Sequence, residues 1–202
     1  VLASIEKIRP NVTDEPQITK LAQIEAQAYS LRGLFYFYLN NSFNNGNVPY
    51  INEIAEVEED YYKKVTPSDE IKKYYREDLQ KALDLGLNDK WEKTDLGRIT
   101  SWAVKAILGK SYLYDKEYNK AAEYFKDIID NGGFALVDDI VDNFTAANEF
   151  NSESILEVSY STQYNTEFGT WSESTLYNIW GMNVNGLGDA WLNTVPTFWL
   201  VE

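Results

Sequence analysis

Six residues within 21 positions carry the densest chemistry in this sequence: Trp171, Tyr177, Trp180, Asn183, Asn185 and Trp191. The apolar face of a pyranose ring stacks on an aromatic side chain while amides hydrogen-bond the surrounding hydroxyls, so this mixture suits a neutral sugar. The competing reading is that the same aromatics fill a loop-rich core. Glu149, Glu153 and Glu167 precede the stretch and Glu173 lies at its start, and two carboxylates across a cleft can hydrolyse a glycosidic bond. With 32 acidic residues in the chain such proximity arises from number alone, and no catalytic residue is assigned. Asp138, Asp139, Asp142 and Asn143 could offer oxygens to calcium, but they lack the alternating acids and central glycine of a calcium loop. Neither a metal site nor a cofactor is expected.

The chain has no Cys and no His. That removes thiol nucleophiles, Ser-His-Asp triads, histidine-ligated metals and disulfides together. Its net charge is −14 over 202 residues, with 18 basic side chains against 32 acidic ones. Phosphate neutralisation through basic patches is therefore disfavoured, and so is attraction to an anionic bilayer. No apolar run reaches the roughly 18 residues of a membrane-spanning helix, and Val1 does not open a signal peptide.

The charge is placed unevenly. All 18 basic residues lie at or before Lys126 together with 20 acids, a net of −2, whereas positions 127–202 hold 12 acids and no base, a net of −12. Four of the six Trp, at 171, 180, 191 and 199, fall in the base-free part. A charge-mixed helical segment gives way to an aromatic, amide-rich one.

The elements that must position these residues follow from the apolar spacing. Ile18, Leu21, Ala22, Ala26, Leu31, Leu34, Phe35 and Tyr38 recur close to i, i+3, i+4, which predicts a helix over 15–40. Asn44, Asn45 and Gly46 tolerate left-handed backbone and end it. The acidic run at 53–60 reads as a solvated connection. Thr66-Pro67-Ser68-Asp69 predicts the next helix start, with Thr66 as cap, Pro67 in the first turn and Asp69 as capping partner. That helix runs to Gly86. Two more are predicted over 100–114 and 117–130, the last closed by Gly132-Gly133. From Ser154 to Tyr160, Leu156, Val158 and Tyr160 alternate with Ile155, Glu157 and Ser159, which predicts a short strand or an extended segment. Positions 161–195 show no sustained period and read as long loops.

Leu108, Gly109, Tyr112, Ala121 and Phe125 match the tetratricopeptide pattern, whose small residues let two antiparallel helices approach closely. The expected fold is mainly α: tetratricopeptide-like helix pairs forming an α-α superhelix over 1–135, and a loop-rich aromatic part with a short strand over 136–202. Four further segments carry a family resemblance. Glu25 to Leu39 followed by Gly46-Asn47-Val48-Pro49-Tyr50-Ile51 resembles the first helix and G-x-V-P turn of the SusD/RagB family. Asp78 to Leu83 resembles its second helix, and Gly97-Arg98-Ile99-Thr100 leading into 103–113 its third. Asn143-Phe144 through Ser154-Ile155-Leu156-Glu157-Val158 resembles a later stretch of the same family.

The resemblance implies a single SusD-like domain portion over 1–202, from a surface lipoprotein of the bacterial outer membrane. Such a protein captures an oligosaccharide or polysaccharide without hydrolysing it and passes it to a TonB-dependent, SusC-like transporter. The lipid-anchored start and further segments of the family are expected outside this chain, and the membrane would be met only through that anchor. Trp171, Tyr177, Trp180, Asn183 and Trp191 are the expected ligand contacts. Trp102, on a regular helical face, is expected in the core, and Trp199 with Leu200 and Val201 under a further segment. Arg32 and Arg98 are expected as buried partners of nearby acids. A peptide-binding tetratricopeptide scaffold is the alternative, distinguished by a concavity between helix pairs.

Overall fold

The longest element carries apolar residues on more than its buried side: of those whose spacing predicts it, Leu21 and Ala26 are buried, whereas Ile18, Leu31, Phe35 and Tyr38 are exposed. The computed structural model describes residues 1–158, and within them Val1–Glu157 packs as a unit of five α-helices. These are α1 (Leu2–Ile8), α2 (Glu15–Ser42), α3 (Ser68–Asp84), α4 (Ser101–Tyr114) and α5 (Tyr118–Asn131), with two-residue strands β1 (Val48–Pro49) and β2 (Val65–Thr66) between α2 and α3. Leu21, Ala26, Tyr29, Gly33, Tyr36 and Phe37 line the buried side of α2 and meet Ile71, Tyr75, Leu79 and Ala82 of α3. Gly33 sits at the crossing: a Cβ there would lie 2.7 Å from Leu79 Cγ and 3.1 Å from the Tyr75 carbonyl. The absent side chain is what lets the helices come together.

α4 and α5 form the second pair, as the tetratricopeptide spacing predicts. A Cβ on Gly109 would lie 2.6 Å from Phe125 Cε1, and Ala121 is buried beside it. Tyr112 stacks on Tyr124 with ring centroids 5.8 Å apart and planes 8° from parallel. The pairs are locked together by α3. Tyr75 Oη and Ser111 Oγ share a hydrogen bond of 2.7 Å, and Arg76 donates to Ser111 Oγ at 2.7 Å and to Asp115 at 2.6 Å while covering Tyr112.

The sequence did not announce α1, a seven-residue helix without a side-chain cap. It matters because Arg9, just beyond it, donates to Glu25, a carboxylate only 6% exposed within α2. A buried charge persists only when paired in this way.

The start of α3 differs from the predicted cap. Thr66 is held extended by β1–β2 pairing, Val48 opposite Thr66 and Pro49 opposite Val65 in antiparallel register. The helix begins at Ser68, Pro67 occupies the cap position, and Asp69 makes no capping bond. The Ser68 N–H donates instead to Asn47 Oδ1 at 3.0 Å, while Asn40 Nδ2 donates to Gly46 O and Ser68 Oγ, both at 2.9 Å. Asn47 from the preceding turn and Asn40 from the end of α2 thus do the work expected of one local cap.

Beyond α5 the described chain is turns. The predicted strand does not form over 154–158: the Ser154 N–H donates to Asn151 O at 3.2 Å, and the Glu157 carboxylate accepts from Phe150 N and Ser154 Oγ at 2.8 and 3.0 Å. Local side-chain acceptors curl the segment and take the place of a ladder. Ser159 and Tyr160 lie outside the described residues. Among the described residues no helix is long and apolar enough to cross a membrane.

Candidate functional site

The aromatic cluster read from the sequence, Trp171, Tyr177, Trp180, Asn183 and Trp191, lies outside the described residues, as do Glu167, Glu173 and Trp199. The described part presents a different cavity, about 450 Å³ in volume. Its walls are the α3–α4 connection at 89–98, the first turn of α4, the end of α5, and the 134–157 segment. That volume falls within the roughly 300 to 1,000 Å³ of small-molecule sites.

Local chemistry explains how each wall is held. Thr100 caps α4 by accepting from the Ala103 N–H at 3.2 Å, which fixes Trp102 two residues on. Trp91 packs against the core, and its indole N–H donates to Ile99 O at 2.9 Å. The far wall is pinned by Ala135 N to Ser152 O at 3.0 Å and Val137 N to Glu153 Oε2 at 3.2 Å. Phe134 and Phe150 add apolar lining, and Asn131, Asn151 and Ser152 add amide and hydroxyl groups.

Trp102 departs from its expected place. It is half-buried but outside the packed core that takes its neighbours Ala103 and Val104, and it lines the cavity. The Lys105 ammonium lies 4.2 Å from its ring centroid and is itself held by Asp127 at 2.6 Å. Arg98 also departs: it pairs with Asp95 at 2.7 Å as expected, but its side chain is 49% exposed and covers Trp91 at 5.7 Å. Arg32 follows its expectation, meeting Asp78 on α3.

Two acids beside the cavity, Glu153 and Asp127, are held by polar partners. The Asn143 amide, then the Val137 N–H, holds the Glu153 carboxyl below the usual glutamate range. The Lys105 ammonium, then the Asn131 amide, does the same for Asp127. A glycosidase acid needs the opposite shift. Asp139 accepts from the Val141 N–H at 2.9 Å, Asp142 accepts from the Asn148 amide at 2.8 Å, and among the described residues no three acidic groups gather as a metal site would require.

With fold and cavity in place, the comparisons define the class of protein. Residues 1–113 match the SusD-like family model described as starch-binding and associating with the outer membrane. The chain belongs to this SusD-like family. A SusD-like protein of Bacteroides ovatus is 28% identical over 159 residues, covering 73% of this chain and 27% of that protein. A laminarin-binding SusD-like protein superposes with a TM-score of 0.75 at 29% identity, covering 88% of this chain and 40% of its own. A structure solved with a xylogluco-oligosaccharide superposes with a TM-score of 0.76 at 25% identity, covering 95% and 38%. The chain spans 27% and 32% of the lengths of the curated relatives it matches.

Proposed function

We propose that this protein is a non-catalytic surface component that captures glycans and delivers them to a TonB-dependent, SusC-like transporter. In this reading it is an outer-membrane lipoprotein whose anchor belongs to the whole protein. Residues 1–135 form the helical base, and residues 136–202 carry ligand contacts, with Trp171, Tyr177, Trp180 and Trp191 as stacking platforms and Asn183 as a hydroxyl partner. The observation that carries the reading is the laminarin-binding relative, similar over 88% of this chain at 29% identity.

The test is a screen of the whole protein against purified polysaccharides by affinity electrophoresis and calorimetry. Binding of at least one neutral glycan with no release of reducing ends is expected; absence of any binding, or hydrolysis abolished by changing Glu149, Glu153, Glu167 or Glu173, overturns the reading. A peptide-binding scaffold is the second reading, favoured by a groove of about 340 Å³ lined by Leu34 and Tyr38 of α2, Ala106 and Lys110 of α4, and Ile155 and Leu156. Co-purification of the transporter with the tagged protein supports the delivery role, and its absence removes that part.

A further inference from the structure

Trp102 has three properties that its packing among the described residues does not account for. It is a large aromatic on a helix whose neighbours enter the core, yet it stays outside that core. Lys105 covers one side of its ring and does not line the cavity, while Trp102 does. Its indole N–H has no hydrogen-bond acceptor among the described residues, in contrast to that of Trp91. A half-buried indole normally finds a partner for its N–H.

The opposite wall offers the complement. Glu157 accepts from Phe150 and Ser154 through Oε2, and its Oε1 has no partner among the described residues. Asn131 spends its amide nitrogen on Asp127 and leaves its oxygen without a partner among the described residues. Lys90 and Arg98 contribute two positive charges to the lining and Asp89 and Glu157 two negative ones, a net of zero. Arg98 is already engaged by Asp95. A ring with apolar faces and hydroxyl edges needs what lines the cavity: indole rings, a donor and acceptors.

We propose that this cavity is a saccharide site in its own right, built wholly from residues 89–157. One pyranose ring of a neutral glycan stacks on Trp102 against the wall formed by Trp91. A hydroxyl oxygen of the neighbouring sugar unit, beyond the indole edge, accepts from the Trp102 indole N–H, and hydroxyl protons of the glycan are donated to Glu157 Oε1. The Lys105 ammonium behind Trp102 and the bond from Trp91 to Ile99 hold both indoles in place before ligand arrives, which reduces the ordering needed on binding. The proposal takes only its ligand class from the glycan-capture reading; its location uses none of the residues at 171–191.

The experiment uses the whole protein, laminari- and xylogluco-oligosaccharides with other neutral oligosaccharides as probes, and two variants. Trp102→Ala removes the platform. Ser152→Trp places bulk in the lining from an exposed serine whose side chain makes no hydrogen bond among the described residues. Indole 15N spectra, with the Trp102 signal assigned by Trp102→Phe, report contact directly. Expected results are a shift of the Trp102 indole signal on titration and a five- to tenfold weaker affinity in both variants. Binding that remains in a Trp171→Ala/Trp180→Ala protein should disappear when Trp102→Ala is added. If the wild type binds saccharide while the Trp102 signal stays still and both variants bind normally, the site is overturned and the glycan-capture reading stands. A Trp102→Ala protein with a lower melting temperature and unchanged affinity also overturns it, because another part of the polypeptide then covers the cavity. If the wild type binds no saccharide, both fail together.

Discussion

Arg32 on α2 holds Asp78 on α3 through two parallel hydrogen bonds, Nε to Oδ2 at 2.6 Å and Nη2 to Oδ1 at 2.7 Å. The carboxylate side chain is 8% exposed and the guanidinium 24%, so the pair is mostly removed from water. Tyr29 and Tyr50 lie against the guanidinium at 5.4 and 5.9 Å, adding cation–π contact. This one fork ties the two longest helices beside the Gly33 crossing.

Removing one partner is therefore worse than removing both. Arg32→Met leaves Asp78 buried and unpaired and should destabilise the protein by roughly 3 kcal/mol, toward the low end for buried pairs because Arg32 is partly exposed. The double variant Arg32→Met/Asp78→Leu should recover most of that loss. Chemical denaturation of the four-protein cycle checks it; additive losses would show that the fork is not a unit.

At the second crossing, Gly109→Ala brings two effects of opposite sign. Alanine gains about 1 kcal/mol of helix propensity over glycine. Its methyl would also lie 2.6 Å from Phe125 Cε1 and 3.0 Å from Cδ1, contacts that a rigid ring relieves only by moving. Overpacking of this kind costs roughly 1 to 3 kcal/mol, so the net effect should be destabilising. In a Phe125→Leu background the same change should become neutral or stabilising, as read by thermal unfolding.

Acid should weaken the α4–α5 pair through Asp127. Lys105, first, and Asn131, second, hold this carboxyl below the usual aspartate range. A lowered folded-state value means that its contribution is present above the unfolded value and lost as pH falls through the folded one. Asp127→Asn should thus lower stability at neutral pH, with the difference from wild type shrinking below the usual aspartate range. Salt should shrink the same difference at neutral pH, since the pair is partly exposed. A variant whose deficit is constant down to strong acid would assign the effect to the Asn131 contact rather than to charge.

The helices and their pairing were legible because their signals are local. The i, i+3, i+4 spacing of α2 marks a helix but not its buried side, since Ile18, Leu31, Phe35 and Tyr38 are exposed, whereas Gly109, Ala121 and Phe125 encode a close approach within a few turns. Thr66 was misread because its conformation is set by Val48 across a strand pair, which no local cap rule contains. Trp102 was misread because it stands next to Ala103 and Val104 in a helix apolar on most sides, where periodicity cannot distinguish the rim of the core from its centre. Trp91 had a usable signal: a tryptophan between Lys90 and Glu92, outside any helical period, with no sequence reason to be buried. The cavity joins segments about 50 residues apart, so only the fold brings them together.

The remaining prediction separates recognition from packing at the aromatic cluster. Trp171, Tyr177, Trp180 and Trp191 occur with Asn183 in a stretch without helical period and without a basic residue, a composition suited to neutral hydroxyls. Stacking on one such ring is worth about 1 kcal/mol by analogy with aromatic pairs. Each substitution to Ala should then weaken glycan binding roughly fivefold while leaving the melting temperature nearly unchanged. A core aromatic behaves in the opposite way, because emptying its cavity costs roughly 3 to 5 kcal/mol whether or not ligand is present. Calorimetric affinity and thermal unfolding measured on the same four variants therefore read the two roles on separate axes. Large stability losses with proportionate loss of binding would make these residues structural. Unchanged stability and unchanged affinity in all four would move recognition elsewhere, with the Trp91–Trp102 cavity next in line.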